Sequence, residues 1–462
     1  MKKFVAGLSA VVAVSTALPA CAEDAQGLWS GAIGGVLTVT LNVAKNAGGV
    51  WGATLASPSQ GASAKVDQFA TDATHISFAI GSLNAGYQAT WDEQAKAWTG
   101  TWTQGEKQAL NLQRIDAVTL AALQPRRPQE QAIAAAAPPY ASEEVRFANA
   151  GAALQLAGTL TVPKGPGPWP AVVLVHGSGP NSRDQDIFGH KIFLVLADHL
   201  TRHGIAVLRY DKRGVGGSTG DYQAATTLDF AADAQAAVAF LRTRAGIDTR
   251  RIGIVGHSEG GLVAPIVAAR EPQLGFVVMM AGPGVRGELL MVEQRAAMAA
   301  AEGAKAEAID KERAMNRALF GAIAAEPDRD KARLKAQAIL EQGERDGLLA
   351  PGTAAASAKR YTSPWFHTFL GLEPGPPLRA LRQPVLVLNG ALDRQVPATL
   401  DLAAIRAALA NNPRAVVKEL PKLNHLFQTA ATGGGDEYAR IEETLAPSAL
   451  DAMTDWIRQQ VQ

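Results

Sequence analysis

Three residue types that together can carry out acyl transfer occur along the chain in the order Ser258, Asp393, His425. Ser258 lies in Gly256-His257-Ser258-Glu259-Gly260, a G-x-S-x-G pattern inside "RIGIVGHSEGGLVAP". That pattern arises often by chance, so its context has to decide what it means. An apolar run, "IGIV", precedes it and "GGLVAPIVAA" follows, which puts Ser258 in a strand-to-helix turn with its hydroxyl above a sheet. A serine hydroxyl attacks a carbonyl only when a base takes its proton, and the base needs a carboxylate to orient it. "PVLVLNGALDRQVP" puts Asp393 just after one apolar strand, and "AVVKELPKLNHLFQ" puts His425 just after the next. An oxyanion formed at Ser258 requires two backbone N–H donors. Glu259, the residue after the serine, supplies one, and the glycine-bearing "HGSGP" loop (His176 to Pro180) supplies the other through Ser178, beside Gly177.

The other histidines fit the base role less well. His257 adjoins the serine and points away across the turn, His176 braces its own loop, His199 and His203 fall in a helix, and His75 lies in a β-rich region. His190 and His367 sit in a loop and in a helical insertion, where substrate contact stays open. "RGVGGSTG" (Arg213 to Gly220) imitates a nucleotide loop. However, Thr219 occupies the third glycine position of G-x-G-x-x-G and no lysine completes a phosphate loop. A turn with structural ion pairs from Asp211 and Arg213 fits it better. No His or carboxylate cluster has metal-ligand spacing, so neither a metal nor a cofactor is expected.

The elements that position these residues begin near Ser142. "EEVRFANAGAALQLAGTLTVP" reads as a strand pair. The strands "AVVLVHGSG", "IAVLRYD", "RIGIVGHSEGG", "FVVMMAG", "PVLVLNG" and "AVVKELP" then alternate with helix-length segments. Uninterrupted Val, Ile and Leu in each strand indicate a mostly parallel sheet covered on both faces, with function at the carboxyl ends of the strands. The fold class expected is therefore α/β. An Ala-, Glu-, Lys- and Arg-rich insertion at about 285–378, with helical character in its first half, reads as a helical lid or, with no part in binding, a helical spacer.

Upstream, residues 23–115 read as a small all-β accessory domain of short alternating strands carrying Trp29, Trp51, Trp91, Trp98 and Trp102. These aromatics are expected to form a core rather than a sugar groove. The Pro- and Ala-rich stretch 116–141 reads as a linker leading to a catalytic domain at 142–462. Residues 1–22 read as a signal peptide, with Lys2 and Lys3 ahead of an apolar stretch too short for a stable membrane span. Ala20-Cys21-Ala22 is a cleavage site that would release a soluble, exported protein, periplasmic or secreted. Leu18-Pro19-Ala20-Cys21 alternatively resembles a lipobox, in which Cys21 would carry a lipid anchor, though Pro19 sits poorly there. Cys21 is the sole cysteine, so no disulfide is expected. With 44 Lys plus Arg against 43 Asp plus Glu, the net charge of +1 gives no reason to expect a nucleic-acid partner.

The phrases "VHGSGPNSRDQD", "RYDKRGVGGSTG", "VGHSEGG", "LNGALDRQVP" and "LNHLFQ" together resemble the α/β-hydrolase superfamily. More closely, the chain is similar to exported bacterial carboxylesterases with an N-terminal β extension, relatives of the serine aminopeptidase and dienelactone hydrolase branches. The resemblance covers 142–462, loosely in the lid. It implies hydrolysis of short-chain carboxylic esters, a small-molecule substrate, through an acyl-enzyme on Ser258, without a cofactor. Two alternatives stand beside it. A serine peptidase on the same residues would need a carboxylate such as Glu288 or Glu293 to hold a substrate ammonium. An inert envelope protein would use the β domain to bind a glycan.

Overall fold

The computed structural model describes residues 25–58 and 61–462. The stretch expected to be a signal peptide, its expected cleavage site and Cys21 lie outside the described residues. The chain divides into two compact units, with the boundary between Gln124 and Pro125.

In the first unit nine strands between Gly27 and Ile115 make one antiparallel sheet. The sheet curls so that its two edge strands, Ala62–Lys65 and Gln68–Thr71, are consecutive in the chain. Between them the Val66 N–H bonds to Ala53 on one side, and the Asp67 N–H bonds to Ala79 on the other. Period-two alternation turns Tyr87 and Ala89 inward and Gln88 and Thr90 outward along one strand. The tryptophans are core, as their composition suggested. Trp29 and Trp98 are fully buried edge-to-face, Trp102 is buried, and Trp51 and Trp91 pack half-buried against the same cluster. Helix α1 (Ala117–Leu123), capped by Asp116 onto the Thr119 N–H, follows the last strand.

The second unit opens with α2 (Pro128–Ala135), in the stretch whose composition read as a linker. Here Arg127 is buried and donates to the carbonyls of Phe188, Gly189, Ala439 and Ile441, while Glu130 accepts from the Lys191 N–H. These bonds tie the second half of 116–141 to the α/β unit.

Eight strands form the main sheet: β1 (Tyr140–Asn149), β2 (Leu154–Pro163), β3 (Trp169–Val175), β4 (Ala206–Tyr210), β5 (Ile247–His257), β6 (Phe276–Met280), β7 (Val385–Gly390) and β8 (Ala415–Leu420). Their spatial order is β1-β2-β4-β3-β5-β6-β7-β8. β1 with β2, and β2 with β4, pair antiparallel, and from β4 to β8 all pairs are parallel. Helices α3 (Ile192–Arg202), α4 (Thr227–Arg242) and α5 (Glu259–Arg270) connect the first parallel strands. The insertion expected at 285–378 is helical throughout, not only in its first half. It holds α6 (Gly287–Ala301), α7 (Ala306–Ala324), α8 (Arg329–Arg345), α9 (Ala354–Tyr361), α10 (Pro364–Gly371) and the start of α11 (Gly375–Ala380). Helices α12 (Ala398–Ala408) and α13 (Pro447–Val461) complete the unit.

The purely apolar strand sequences follow from burial on both faces. Val173 and Val175 pack with residues of α4, α5 and α12, whereas Val172 and Leu174 pack with α3 and α13. Each such side chain contributes about 1.5–3 kcal/mol when fully buried. The insertion has its own core around Leu319, Phe320, Tyr361 and Phe366. Among the described residues no helix is long and apolar enough to cross a membrane.

Candidate active site

Ser258 stands at the junction of β5 and α5 with φ 54° and ψ −118°, a left-handed conformation that a non-glycine residue adopts only where its surroundings enforce it. The sharpness of the turn explains its glycines. A Cβ on Gly256 would lie 1.9 Å from the Gly260 carbonyl oxygen, and one on Gly260 would lie 2.0 Å from the Val175 oxygen. The Ser258 N–H donates to Met280 O at 2.8 Å, which fastens the turn to β6.

Asp393 and His425 lie in the loops after β7 and β8. The Nδ1 of His425 is 2.8 Å from Oδ2 of Asp393, and both side chains are almost wholly buried. The other Asp393 oxygen accepts the N–H groups of Gln395 and Val396, each at 2.8 Å, so the carboxylate cannot swing away from the imidazole. Asn424 shapes the histidine loop, its side-chain oxygen accepting from the N–H groups of Leu426 and Gln428.

His257, expected to point away across the turn, is tied into the site by hydrogen bonds at both ring nitrogens. Its Nε2 lies 2.9 Å from the backbone carbonyl of His425, so this nitrogen carries the proton and donates. Its Nδ1 then accepts from Gln185 Nε2 at 2.9 Å, and Gln185 Oε1 accepts the Gly177 N–H at 2.8 Å. Burial, with His425 nearby, pushes the His257 pKa down to about 3 and keeps the ring neutral. Sequence reasoning missed Gln185, which is fully buried with φ 49° and joins the HGSGP loop to His257 and, through His257, to the histidine loop. It lies within "NSRDQD", where nothing in residue type or spacing separates it from an ordinary loop glutamine.

The HGSGP loop lies directly against the serine, since a Cβ on Gly177 would meet the Ser258 Cβ at 3.2 Å. Ser178, Ser258 and Glu259 line one cavity of about 490 Å³, together with Leu290, Met291, Trp365, Phe366 and Phe369 of the insertion. The side chain of Glu259, a residue expected to matter chiefly through its backbone N–H, is buried. It accepts from Trp365 Nε1 (2.6 Å), Thr227 Oγ1 (2.7 Å) and Lys212 Nζ (3.1 Å). His176 packs between the rings of Phe193 and Tyr210, and its pKa is pushed down to about 3 by burial and then by Lys212. Asp401 also escaped the sequence. Buried on α12, it accepts the N–H groups of Gly284 and Val285 where the insertion begins, and burial raises its carboxyl to about 7.

The residues left open by sequence fall elsewhere. His190 is buried against Tyr438 O and Thr444, His367 bonds the Glu326 carbonyl, and neither lines the cavity. Glu288 faces Arg286, and Glu293 faces Arg313 and Arg317, so the carboxylates considered for an ammonium are engaged outside the cavity lining. The glycine-rich decoy is a structural turn, in which Asp211 pairs with Arg183 and Arg213 with Asp233 and Asp229.

Esterase EstD of Thermotoga maritima is 42% identical over 139 residues, which span 30% of this chain and 33% of that relative's length. An esterase of Pyrococcus furiosus overlays with a TM-score of 0.45 at 15% identity, covering 69% of this chain and 91% of its own. Est1E of Butyrivibrio proteoclasticus, solved with ferulic acid bound, gives a TM-score of 0.41 at 16% identity, covering 69% and 99%. The model of the Alpha/beta hydrolase family matches residues 172–434, more than half of the chain. The protein belongs to the Alpha/beta hydrolase family.

Proposed function

We propose that the protein is a carboxylesterase that cleaves short-chain acyl esters through an acyl-enzyme on Ser258. The observation carrying this reading is the buried His425–Asp393 hydrogen bond in loops at the carboxyl end of the sheet that bears the strained Ser258 turn. His425, with Nδ1 held by Asp393, has Nε2 left to act as general base on the serine hydroxyl. Ser258 attacks the ester carbonyl, and the N–H groups of Ser178 and Glu259 receive the oxyanion. His425 then protonates the departing alcohol, and water activated by the same ring releases the acid. No cofactor enters these steps. The apolar part of the lining, from Leu290, Met291, Trp365, Phe366 and Phe369, suits an acyl chain. The esterase name of the Thermotoga relative supports the reaction class.

The leader sequence carries the further proposal that the enzyme is exported, and the mass of the mature N-terminus tests cleavage after Ala22 against acylation at Cys21.

The decisive assay compares p-nitrophenyl acetate, butyrate and octanoate with aminoacyl-p-nitroanilides, using Ser258→Ala as control. Turnover of the short esters, lost in the variant, is expected. Ester turnover that survives Ser258→Ala would sink the reading, and anilide turnover above ester turnover would replace it with the peptidase. Failure of every substrate, together with no fluorophosphonate labelling of Ser258, would favour the inert binding protein.

A further inference from the structure

Lys212, in the turn after β4, is a buried cation for which the acyl-transfer steps leave no role. It is 3% exposed, and its Nζ lies over the Phe230 ring at 4.1 Å. Burying an ammonium is costly unless it is paired and hydrogen-bonded, so its partners carry information. They are Glu259 Oε2 at 3.1 Å and the carbonyl oxygen of Gly177 at 2.8 Å. Asn181 Nδ2 reaches the same carbonyl at 2.9 Å.

That carbonyl belongs to the peptide whose N–H is that of Ser178. The peptide is trans, so its N–H points opposite to its C=O. Two donors on the oxygen therefore fix where the Ser178 N–H points. A positive charge at the oxygen also draws electron density along the amide and strengthens the N–H as a donor. The other side of Gly177 is fixed as well, by its N–H on Gln185 and by its contact with Ser258. Through Glu259 the same lysine reaches the residue that supplies the second N–H.

We propose that Lys212 is a positioning residue for ester cleavage: it holds and polarises the Gly177–Ser178 peptide so that the Ser178 N–H is aimed in advance at the oxyanion. The proposal rests on the esterase reading. Glu259 is its counter-ion, and Asn181 is the neutral second donor that sets the peptide plane. This role differs from that of a simple partner to Glu259, because it acts on the transition state and leaves ground-state binding alone.

The test uses the full chain as wild type, Lys212→Met, Asn181→Ala and the double variant Lys212→Met/Glu259→Gln, which removes both buried charges together. The readouts are kcat and KM on p-nitrophenyl butyrate, thermal unfolding, and inhibition by a trifluoromethyl ketone that forms a tetrahedral adduct with Ser258. Lys212→Met should lower kcat by about 10- to 100-fold with KM within about 3-fold, and should weaken the ketone by the same factor as kcat/KM. Asn181→Ala should show the same pattern more weakly. The double variant should fold and keep the kcat defect, because the Gly177 carbonyl still lacks its cation. Restored kcat in the double variant would reduce Lys212 to a counter-ion and overturn the proposal. So would a KM effect without a kcat effect, or ketone affinity that does not follow kcat/KM. A wild type inactive on every ester and unreactive toward the ketone would instead remove the esterase reading itself.

Discussion

His257, next to Ser258 in sequence, donates from Nε2 to the backbone carbonyl of His425, 168 residues away, at 2.9 Å. The two rings lie 4.9 Å apart. The contact fixes the histidine loop against the serine turn, and Gln185 continues it to the Gly177 N–H. Replacing His257 by Phe keeps the volume but leaves the His425 carbonyl and the Gln185 amide without partners. Each orphaned group costs about 1–3 kcal/mol. The expected result is a urea midpoint lowered to match and a kcat on p-nitrophenyl butyrate reduced about tenfold. Unchanged kcat in a folded variant would show that the loop keeps its place without this brace.

In the proposed mechanism Asp393 acts through His425, whose Nδ1 it holds. In Asp393→Asn the amide oxygen can still accept from the imidazole, but it favours the N–H groups of Gln395 and Val396 and turns its NH₂ toward Nδ1. The ring would then carry its proton on Nε2 and could not act as base. A loss of about 10⁴ in kcat with little change in KM follows, by analogy with the same change in other serine hydrolases. A deficit below tenfold would mean that another group orients His425.

What the sequence made legible follows a physical division. Ser258, Asp393 and His425 each follow an apolar strand, and strand patterning is periodic, so their placement could be read. Lys212, Gln185 and Asp401 make isolated side-chain hydrogen bonds across the fold, which leave no periodic trace. The β-domain tryptophans were legible as core because they alternate with polar residues. The docking of α2 was not, because Arg127 is held by backbone carbonyls, which any sequence provides. The helices in the second half of the insertion hid behind prolines at their first turns, as in α10 and α11.

Trp365 joins the insertion to the serine turn through its bond to Glu259. Trp365→Phe keeps the stacking on Phe369 and removes only the indole N–H. A hydrogen bond to a charged acceptor is worth about 1.5–3 kcal/mol, so the insertion should loosen before the sheet does. Limited proteolysis should cut between residues 285 and 378 faster than in wild type while the global unfolding midpoint moves little. Equal cleavage rates would show that the insertion is held by packing alone.

Two lining residues carry formal charge: Arg360, which is exposed, and Glu259, which Lys212 neutralises. A carboxylate on the far end of the acyl chain should therefore be favoured over an ammonium. The p-nitrophenyl hemiester of succinic acid is expected to show a lower KM than its 4-aminobutyrate counterpart. Arg360→Gln should shrink that difference by about 2- to 5-fold, an effect of under about 1 kcal/mol typical of exposed charges. Equal KM values for the two esters in wild type would exclude Arg360 as a determinant.

Stability should fall as the solution is acidified from pH 7 to pH 5. His176 and His257 have pKa values pushed down to about 3, and His190 to about 4, all by burial before any other cause. An unfolded histidine titrates near 6.5, so over this interval the unfolded chain binds protons that the folded chain refuses. Each histidine then removes about 2 kcal/mol on going from pH 7 to pH 5. Asp401 works the other way. Its carboxyl, raised to about 7 by burial, takes up a proton in the fold and returns about 2 kcal/mol. The net change expected is a loss of about 4 kcal/mol, read as a lower urea midpoint at pH 5. His257→Gln removes one of the three groups, so its pH dependence should be shallower by about 2 kcal/mol although the variant starts less stable at pH 7. A wild-type midpoint that does not move between pH 7 and pH 5 would mean that these imidazoles take up protons in the folded state, and the His257 bond to the His425 carbonyl could not then hold the tautomer on which the brace depends.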